Sequence, residues 1–407
     1  MNILYIAYSC SPYHGSEDKI GWNVPVECAK TNNVFVITKE EQREYTENYL
    51  KNKPVENIRF YYVDIPEIYK KIFAGQMYSG RLNIWNRRAF HIAKAICEKE
   101  KIDVIHQITP IEFRSIGDYG KIPAVKFVCG PIGGGVHIPR ALYGYVKGHG
   151  MVEAIRTAAN WWYKQLFRIT GKMKRIDDLL FVNRETADYL KDLLPKNQKQ
   201  TIHTDIGIDT AELAGKRLGG RSGKCRFLVA GRLIYIKGHA FLLDALKRIP
   251  EGLDYECRIV GAGPERDKLQ AKVQADAVLR ERVVFTGAVA YQQMEQEYEQ
   301  ADVLILPSFR EATGTVLLEA MSKGIPAITI GKFGGAELLD ENSGWLYDGT
   351  DEESYIENLK NAVAECIQNL EEVKRRGINA RKAAENYTWE RKAEVYLNWY
   401  TALIQKK

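Results

Sequence analysis

The chain has 407 residues, of which 45% are hydrophobic and 27% are charged. This length and near-average composition predict two or three globular domains and exclude disordered, collagen-like and low-complexity proteins. The net charge of +6 is small for such a chain, so its distribution is more informative than its total. Seven cysteines show no C-x-x-C spacing, which favours free thiols in a reducing compartment over disulfides or a zinc ribbon.

The first ten residues, MNILYIAYSC, form an apolar run without a basic segment before it. Ser11 and Pro12 follow at once, which is typical of a buried strand and not of a signal peptide. No stretch approaches the roughly 18 apolar residues that a membrane-spanning helix needs. We therefore expect a cytoplasmic protein that is neither exported nor inserted into a membrane.

Short β-rich runs alternate with amphipathic segments of helical period, which is the pattern of a parallel sheet built from βαβ units. After a long helical stretch the pattern starts again, so we predict two Rossmann-like halves. The predicted strands are NILYIAY, VFVIT, RFYYVD, DVIHQI and AVKFVCG in the first half, and CRFLVAG, YECRIVGAG, RVVFTGA, DVLILP and PAITI in the second.

The domain boundary is predicted where Gly, Lys and Arg replace the apolar periodicity, in IGIDTAELAGKRLGGRSGK. This gives an N-terminal domain over 1–209 and a C-terminal domain over 210–387. The last segment, 388–407, has apolar and aromatic residues at helical spacing. We expect it to form a helix that packs back on the N-terminal domain.

The loop after CRFLVAG carries Arg232 and Lys237, and Gly238 opens the next helix. It lies at the carboxyl end of a predicted parallel strand, where open α/β sheets bind their ligands. Two cations there suit a diphosphate, although two solvated surface cations are the alternative. The Walker spacing of glycines, lysine and serine or threonine is absent.

Gly261 and Gly263 also follow a predicted strand and resemble the opening of a dinucleotide-binding fingerprint. The third glycine position holds Arg266, so a tight turn without a ligand is an equal alternative.

The strand DVLILP is followed by a loop, and Gly314 leads into the helix TVLLEAMSK. The amides of Gly314, Thr315 and Val316 would be unsatisfied helix N-terminal donors, which form an anion site. Glu311 and Glu319 could project towards the same ligand, and a carboxylate accepts pairs of sugar hydroxyl hydrogen bonds. Each glutamate alone could equally be an ordinary loop or helix residue.

Together the pattern reads E-x7-E, then EAMSKG-x-P and a later Gly-Gly pair before a glutamate, with Arg232 and Lys237 upstream. It resembles glycosyltransferase family 4. The resemblance implies a GT-B fold, with two Rossmann-like domains facing a cleft, and retaining, metal-independent transfer from a nucleotide diphosphate sugar without a cofactor. It assigns the diphosphate to Arg232 and Lys237, the ribose to Glu319, and the donor sugar to Glu311.

The resemblance also places the backbone from Thr313 through Gly314 and Thr315 to Val316 along the sugar and phosphate. The family commonly has an aromatic residue where this chain has Thr313. The base and the sugar of the donor therefore stay open.

In the first half, the triplet Gly15-Ser16-Glu17 with the pair Gly21-Trp22 resembles one subgroup of the same family. The resemblance brings Gly15 close to the donor phosphates, whereas the residues alone also fit a simple turn. His106 ends the predicted strand DVIHQI, and the resemblance places a histidine there beside the donor sugar. A satisfied core histidine is the alternative.

Three successive glycines follow the fifth predicted strand, and they allow a backbone to approach a ligand closely. We predict Gly133, Gly134, Gly135 and His137 as acceptor-side residues, with a mobile loop as the alternative.

The stretch from Lys147 to Arg175 holds seven basic residues against the single acid Glu153. On a helical projection, Ile155, Trp162, Leu166, Ile169 and Met173 share one face, whereas Lys164, Arg168, Lys172 and Arg175 share the opposite one. Such a helix suits an anionic membrane surface. The alternatives are packing on the first domain and nucleic-acid binding, for which no recognition motif is present.

These observations favour a retaining hexosyltransferase that moves a sugar from a nucleotide diphosphate sugar to a hydroxyl acceptor. The acceptor would be a saccharide or lipid-linked saccharide in bacterial cell-surface polysaccharide or glycolipid synthesis, with the protein at the inner face of the plasma membrane. The alternatives are a nucleotide-sugar epimerase or phosphorylase on the same fold, and a noncatalytic dinucleotide- or nucleic-acid-binding protein.

Overall fold

The computed structural model describes residues 1–13, 15–73, 78–196, 198–214 and 224–405. The chain forms two compact units. Unit 1 contains Met1–Gly135, Val152–Gly207 and Trp389–Lys407, and unit 2 contains Val136–Met151 and Ile208–Thr388.

Unit 1 is built on a seven-stranded parallel sheet with the order β3-β2-β1-β4-β5-β6-β7. Strand β1 lies inside the sheet and is buried from Ile3 to Ala7, and its Ile3 lies beside Val34 of one neighbour and Val104 of the other. The strands are β1 (Asn2–Ala7), β2 (Asn33–Lys39), β3 (Ile58–Val63), β4 (Val104–Thr109), β5 (Lys126–Ile132), β6 (Asp178–Phe181) and β7 (Thr201–Ile202).

Helices cover both faces of this sheet. The first helix approaches the chain after β1 so closely that a Cβ on Gly21 would lie 1.9 Å from the Ser9 carbonyl oxygen, and only glycine fits there. The first six helices in chain order are α1 (Ser16–Ala29), α2 (Arg43–Asn52), α3 (Glu67–Ile72), α4 (Tyr78–Lys99), α5 (Gly150–Thr170) and α6 (Arg184–Leu190).

Unit 2 has a six-stranded parallel sheet with the order β10-β9-β8-β11-β12-β13. In both sheets the strand order reverses beside the first strand, which creates the crevice where doubly wound sheets bind ligands. The strands are β8 (Cys225–Ala230), β9 (Tyr255–Val260), β10 (Val283–Gly287), β11 (Val303–Leu306), β12 (Ala327–Ile330) and β13 (Gly344–Tyr347).

The remaining helices are α7 (Thr210–Ala214), α8 (His239–Leu246), α9 (Arg266–Gln274), α10 (Ala277–Arg282), α11 (Tyr291–Gln300), α12 (Thr315–Ser322), α13 (Phe333–Leu338), α14 (Glu352–Gln368), α15 (Leu370–Ala384) and α16 (Trp389–Gln405). Short 3₁₀ helices occur at Glu40–Gln42, Phe113–Ser115, Tyr119–Lys121, Arg140–His149, Lys172–Arg175, Lys191–Leu193, Tyr235–Lys237 and Glu385–Tyr387. The predicted fold class, two Rossmann-like α/β domains, is confirmed.

One segment lies outside the domain to which the sequence assigned it. We name Val136–Met151 the crossover segment. The predicted boundary placed it in the N-terminal domain, over 1–209, but the structure places it in unit 2. Its apolar side chains, Val136, Ile138, Leu142 and Val146, join the hydrophobic core that contains Leu233 and Phe241, so burial of those side chains decides its location.

The last helix, α16, belongs to unit 1 and packs against α1. Trp389, Tyr396 and Tyr400 are buried in one core cluster with Ile20 and Val24. The aromatic residues of the tail are therefore core residues of unit 1. All seven cysteines lie in the described residues and are free.

Helix α16 also buries a lysine. The Lys392 ammonium donates a hydrogen bond of 2.5 Å to the carbonyl oxygen of Thr204 and lies 3.3 Å from Nε2 of His203. Burial lowers the pKa of Lys392 to about 7, and the charge of Asp205 opposes that shift. At neutral pH the folded protein therefore holds this lysine partly deprotonated.

We expect the free energy of unfolding to rise between pH 7 and pH 8. The unfolded chain keeps the Lys392 proton, since an unperturbed lysine has a pKa of about 10.4, whereas the folded protein has released it. The slope should reach about 1.4 kcal/mol per pH unit at most. Urea unfolding at both pH values measures it, and Lys392→Met should remove the slope.

Lys382→Met on the exposed side of α15 is the matched control and should keep the wild-type slope. Wild-type stability that is flat or falling over this range would contradict the burial of a neutral lysine.

Candidate functional site

Two loops of unit 2 meet where the order of its sheet reverses. One follows β8 and the other follows β11. The Phe309 amide donates a hydrogen bond of 2.8 Å to the Ile236 carbonyl oxygen. A Cβ on Gly238, whose φ is +68°, would lie 2.0 Å from the Pro307 carbonyl oxygen. Glycine is therefore required for the two loops to approach.

This approach brings together two predicted site residues. The Lys237 ammonium forms an ion pair with Oε2 of Glu311, and both side chains are four-fifths buried. The hydroxyl of Ser308 donates a second hydrogen bond, of 3.2 Å, to the same oxygen. Arg232 lies on the β8 loop with its side chain exposed, and it makes no ion pair with any residue that the structure describes. The loops thus present two cations and a carboxylate.

The N-terminus of α12 adds backbone donors to this group. Gly314 precedes the helix with a φ of +93°, and the amides of Thr315 and Val316 have no acceptor among the described residues. Thr313 is buried, and a Cβ on Gly334 of α13 would lie 2.0 Å from its Cα. The close packing of α13 holds this turn, and the free amides can bind an anion.

Glu319 lies one turn inside α12 and is partly buried. The hydroxyl of Tyr298, on α11, donates a hydrogen bond of 2.7 Å to Oε2 of Glu319. This contact orients the carboxylate, whose other oxygen accepts no hydrogen bond from the residues that the structure describes. The sequence did not predict a role for Tyr298 or Ser308, because nothing in their local patterns distinguishes them from other polar residues.

Gly261 and Gly263 serve the packing of the β8 loop. Their Cβ atoms would lie 1.8 Å from the Gly231 carbonyl oxygen and 2.3 Å from the Leu233 carbonyl oxygen. The fingerprint-like glycines therefore form a tight turn against the loop that carries Arg232, and this contact alone accounts for both glycines.

The crossover segment supports both loops from behind. The ring of Tyr145 lies 5.9 Å from that of Phe309, two residues before Glu311. The ring of His149 stacks on Tyr235, two residues before Lys237, with centroids 3.8 Å apart and planes within 8°. No sequence pattern indicated these contacts, because a separate part of the chain supplies them.

His106 is placed differently from the prediction. It lies inside β4 and not at its end, and its side chain is fully buried. Its ring nitrogens lie 2.5 Å from the Tyr400 hydroxyl and 2.6 Å from the Gly130 carbonyl oxygen. Burial lowers the pKa of His106 to about 3, although the Gly130 contact opposes the shift.

The predicted contact between His106 and the donor sugar is therefore wrong. Both ring nitrogens are already bonded to the protein, and the side chain has no exposed surface. His106 is a core histidine that joins the sheet to α16.

The other predicted residues near the start of the chain are also placed by the structure. Gly15 precedes α1 with a φ of +34° and is exposed. The Gly133 amide donates to the Ile111 carbonyl oxygen, and the Gly134 carbonyl oxygen accepts from Arg156 and Asn160.

A Cβ on Gly135 would lie 2.9 Å from the Cβ of Tyr189 and 3.0 Å from its ring. These three glycines thus have structural roles, whereas His137 is exposed. An acceptor-side role for them stays a prediction.

The predicted basic face is not continuous. α5 ends at Thr170, and Lys172 and Arg175 lie in the following 3₁₀ turn, with Met173 buried. The four cations named for this face are all paired with acids of unit 1. Lys164 and Arg168 pair with Asp192, and Lys172 and Arg175 pair with Asp118.

Within the described residues, no group of three His, Cys, Asp or Glu side chains could hold a metal ion. Among the helices described, none has the length and apolar character needed to cross a bilayer.

Comparison with known proteins places this geometry in a family context. Residues 215–383 match the family described as "Glycosyl transferases group 1". The chain is 33% identical over 147 residues to an uncharacterized glycosyltransferase of Methanocaldococcus jannaschii, covering 35% of this chain and 37% of that protein. It is 28% identical to a GDP-mannose-dependent phosphatidylinositol monomannoside mannosyltransferase of Mycolicibacterium smegmatis, covering 63% of this chain and 68% of that one.

Among solved structures, an Anabaena protein in complex with UDP and glucose superimposes with a TM-score of 0.61. It covers 99% of this chain and 100% of its own, at 15% identity. The shared fold extends over both units, whereas the family match lies within unit 2. The chain spans only 37% of the length of the archaeal relative.

We expect Tyr145→Ala to loosen the loop after β11, because the contacts of the ring with Phe309 and Phe241 are lost. The Phe309 amide, which bonds to Ile236, should exchange its hydrogen at least about tenfold faster, equivalent to about 1.4 kcal/mol. Hydrogen exchange resolved to this amide measures the effect.

Tyr145→Phe keeps the ring and loses only the 2.9 Å hydrogen bond to Asp244, so it should stay near the wild-type rate. Tyr143→Ala, at an exposed position of the same segment, should have no effect. Equal acceleration in Tyr143→Ala and Tyr145→Ala would show that the Tyr145 ring does not support the loop.

Proposed function

We propose that the protein is a retaining glycosyltransferase that moves a sugar from a nucleotide diphosphate sugar to a hydroxyl acceptor. The observation that carries the proposal is the placement of Lys237 against Glu311 at the reversal of the unit 2 sheet, beside the open amides of α12. A cation for a leaving diphosphate and a carboxylate for a sugar are thereby held within one small group of loops. The family match over residues 215–383 supports the same reaction class.

The leaving diphosphate would be held by Arg232, Lys237 and the amides of Thr315 and Val316. The two amides are fixed at the start of the helix before the ligand arrives, so they stabilise charge developing on the leaving group without reorganisation. Arg232 and Lys237 add two positive charges. We infer that this set allows reaction without a metal ion or other cofactor. Gly15 of unit 1 is retained as a further candidate for a phosphate contact.

Glu319 would bind the ribose through its hydroxyl groups. The Tyr298 hydroxyl fixes one oxygen of the carboxylate, and the other oxygen is left to accept from the sugar. A carboxylate held on a helix recognises the hydroxyl pair of a ribose without contacting the base. This part of the site is therefore compatible with any nucleoside diphosphate.

Glu311 would act at the sugar. When the diphosphate takes Lys237, the ion pair opens and leaves the Glu311 carboxylate beside the reacting carbon, where it stabilises positive charge on the sugar. The acceptor oxygen forms its bond on the face from which the diphosphate leaves, and a phosphate oxygen takes the acceptor proton. The configuration of the sugar is then retained without a covalent intermediate.

For the acceptor we propose a lipid-linked saccharide of the bacterial cell surface, with the protein at the cytoplasmic side of the membrane. The mycobacterial relative is named for a phosphatidylinositol acceptor and a GDP-mannose donor, which supports a glycolipid acceptor here. The exposed apolar side chains of α5 support the same location.

We expect one nucleoside diphosphate among UDP, GDP and ADP to raise the melting temperature with chelator present, because a ligand that binds only the folded state stabilises it. Lys237→Ala and Glu319→Ala should each weaken its binding about tenfold or more, since each removes a charge-assisted contact. Glu311→Gln should keep binding within a few-fold but lower the transfer rate at least about 100-fold. Thermal shift, calorimetry and transfer of labelled sugar measure these effects.

The matched control is Glu295→Ala. Glu295 is exposed, lies on α11 beside α12, and pairs with Lys323. This variant should change neither nucleotide binding nor the transfer rate. Stabilisation by NAD or an oligonucleotide, with none by any nucleoside diphosphate, would overturn the proposal. Sugar conversion without an acceptor, or only with inorganic phosphate, would instead indicate an epimerase or a phosphorylase.

Slow hydrolysis of the bound donor should release the sugar with the anomeric configuration of the donor. Water attacking the face from which the diphosphate leaves gives this result, and proton NMR recorded before the anomers equilibrate reads it. Release of the opposite anomer would exclude the retaining mechanism, and a trapped glycosyl adduct on Glu311 would replace the charge-stabilising role with a nucleophilic one.

A further inference from the structure

Helix α5 presents an uncharged face of large side chains to solvent. We name Ile155, Trp161, Trp162, Leu166 and Ile169 the α5 apolar face. Their exposed fractions are 52%, 59%, 62%, 38% and 83%. Monomeric soluble proteins seldom expose contiguous apolar side chains of this size without a function.

The spacing of these residues makes the face continuous. From Ile155 to Ile169 the helix rises about 21 Å at 1.5 Å per residue. The other positions on the same side are Ala154, just before Ile155, and Ala158 and Gln165, so no charge interrupts the face. The result is one uncharged ridge along nearly four turns of helix.

The other side of α5 fixes which face points outwards. Asn160 and Phe167 are buried. The side chains of Asn160 and Arg156 both donate to the Gly134 carbonyl oxygen. These bonds and the burial of Phe167 prevent the helix from turning its apolar face inwards.

The cations of α5 lie beside this face and not on it. Lys164 and Arg168 share the single carboxylate of Asp192, so one of their two positive charges is neutralised. The segment from Lys147 to Arg175 still has a basic excess, since its seven cations outnumber Glu153, Asp192 and Asp118. Attraction to an anionic surface therefore adds to apolar burial and does not replace it.

We propose that the α5 apolar face inserts into the interface of a lipid bilayer. An amphipathic helix with tryptophan and leucine on one side and cations at its flanks is the form that lies in the headgroup region. Adjacent tryptophans suit that region, because their rings are apolar and their indole N–H groups remain hydrated. The inference rests on the proposed function, for which it supplies the location of the acceptor.

A second copy of this chain is the chief competing occupant. Two such ridges could pair as helices do in a dimer, and a dimer would be visible in solution without lipid. The measurement of oligomeric state is therefore part of the test.

The test is sedimentation of the full chain with two kinds of vesicle. One contains phosphatidylcholine alone, and the other contains phosphatidylcholine with about 30% phosphatidylglycerol, which makes its surface anionic. We expect binding to both, with tighter binding to the anionic vesicles. The double variant Trp162→Glu with Ile169→Glu should lower binding to both at least tenfold. Ile378→Glu, at an exposed isoleucine of α15, is the matched control and should bind as the wild type does.

Tryptophan fluorescence tests the insertion without a disruptive variant. Five of the seven tryptophans are buried or partly buried, and Trp161 and Trp162 are exposed. Brominated phosphatidylcholine vesicles should quench the wild type, and Trp161→Phe with Trp162→Phe should lose most of that quenching while keeping the binding.

Absence of wild-type binding to both vesicles would overturn the proposal, as would undiminished binding of the double glutamate variant. A dimer that Trp162→Glu separates would assign the face to a second copy. If the double variant Lys164→Gln with Arg168→Gln abolished binding to both kinds of vesicle, the binding would be assigned to charge and not to the apolar face.

The thermal shift by nucleoside diphosphate distinguishes this proposal from the proposed function. It should be the same in the wild type and in the double glutamate variant, which also shows that the variant is folded. If the wild type responds to nucleotide but does not bind vesicles, only the proposal of membrane docking fails. If the wild type binds vesicles but no nucleoside diphosphate raises its melting temperature, only the proposed glycosyltransferase function fails.

Discussion

The site of unit 2 depends on one ion pair, between Lys237 after β8 and Glu311 after β11. Two opposite charges that are four-fifths buried are costly to separate unless another charge replaces one of them. Before a donor binds, each side chain therefore holds the other in place. In the proposed reaction a diphosphate takes over Lys237, which connects binding at the phosphate with release of the carboxylate at the sugar. The catalytic proposal rests on this exchange of partners.

The ion pair can form only because backbone approaches backbone at several places around it. Gly238 lies against Pro307, Gly261 lies against Gly231, and Gly334 lies against Thr313. A side chain at any of these positions would push a site loop away. The crossover segment adds Tyr145 and His149 behind the same loops. The crossover segment leads directly into α5. The segment that supports the loops after β8 and β11 is therefore continuous in the chain with the helix proposed to meet the membrane.

The sequence did not show the surroundings of two sets of residues, for the same reason. His106 was predicted beside a ligand and is instead bonded to Tyr400 and Gly130 inside the core. For the cations near α5, a membrane surface and packing on the first domain were both open, and the structure pairs these cations with Asp118 and Asp192. In each case the partner lies far away along the chain. Position on a strand or helix shows which way a residue can point, but not what other segment meets it.

By itself the sequence determined the two parallel-sheet domains, because hydrophobic periodicity is a local property. Motif spacing is local too, so it indicated Arg232, Lys237, Glu311 and Glu319 as candidate site residues. Tertiary structure alone decided that the crossover segment belongs to unit 2, that Tyr298 and Ser308 support the glutamates, and that α5 exposes its apolar side. These outcomes depend on which surfaces bury one another, and burial is settled by contacts between segments distant in sequence.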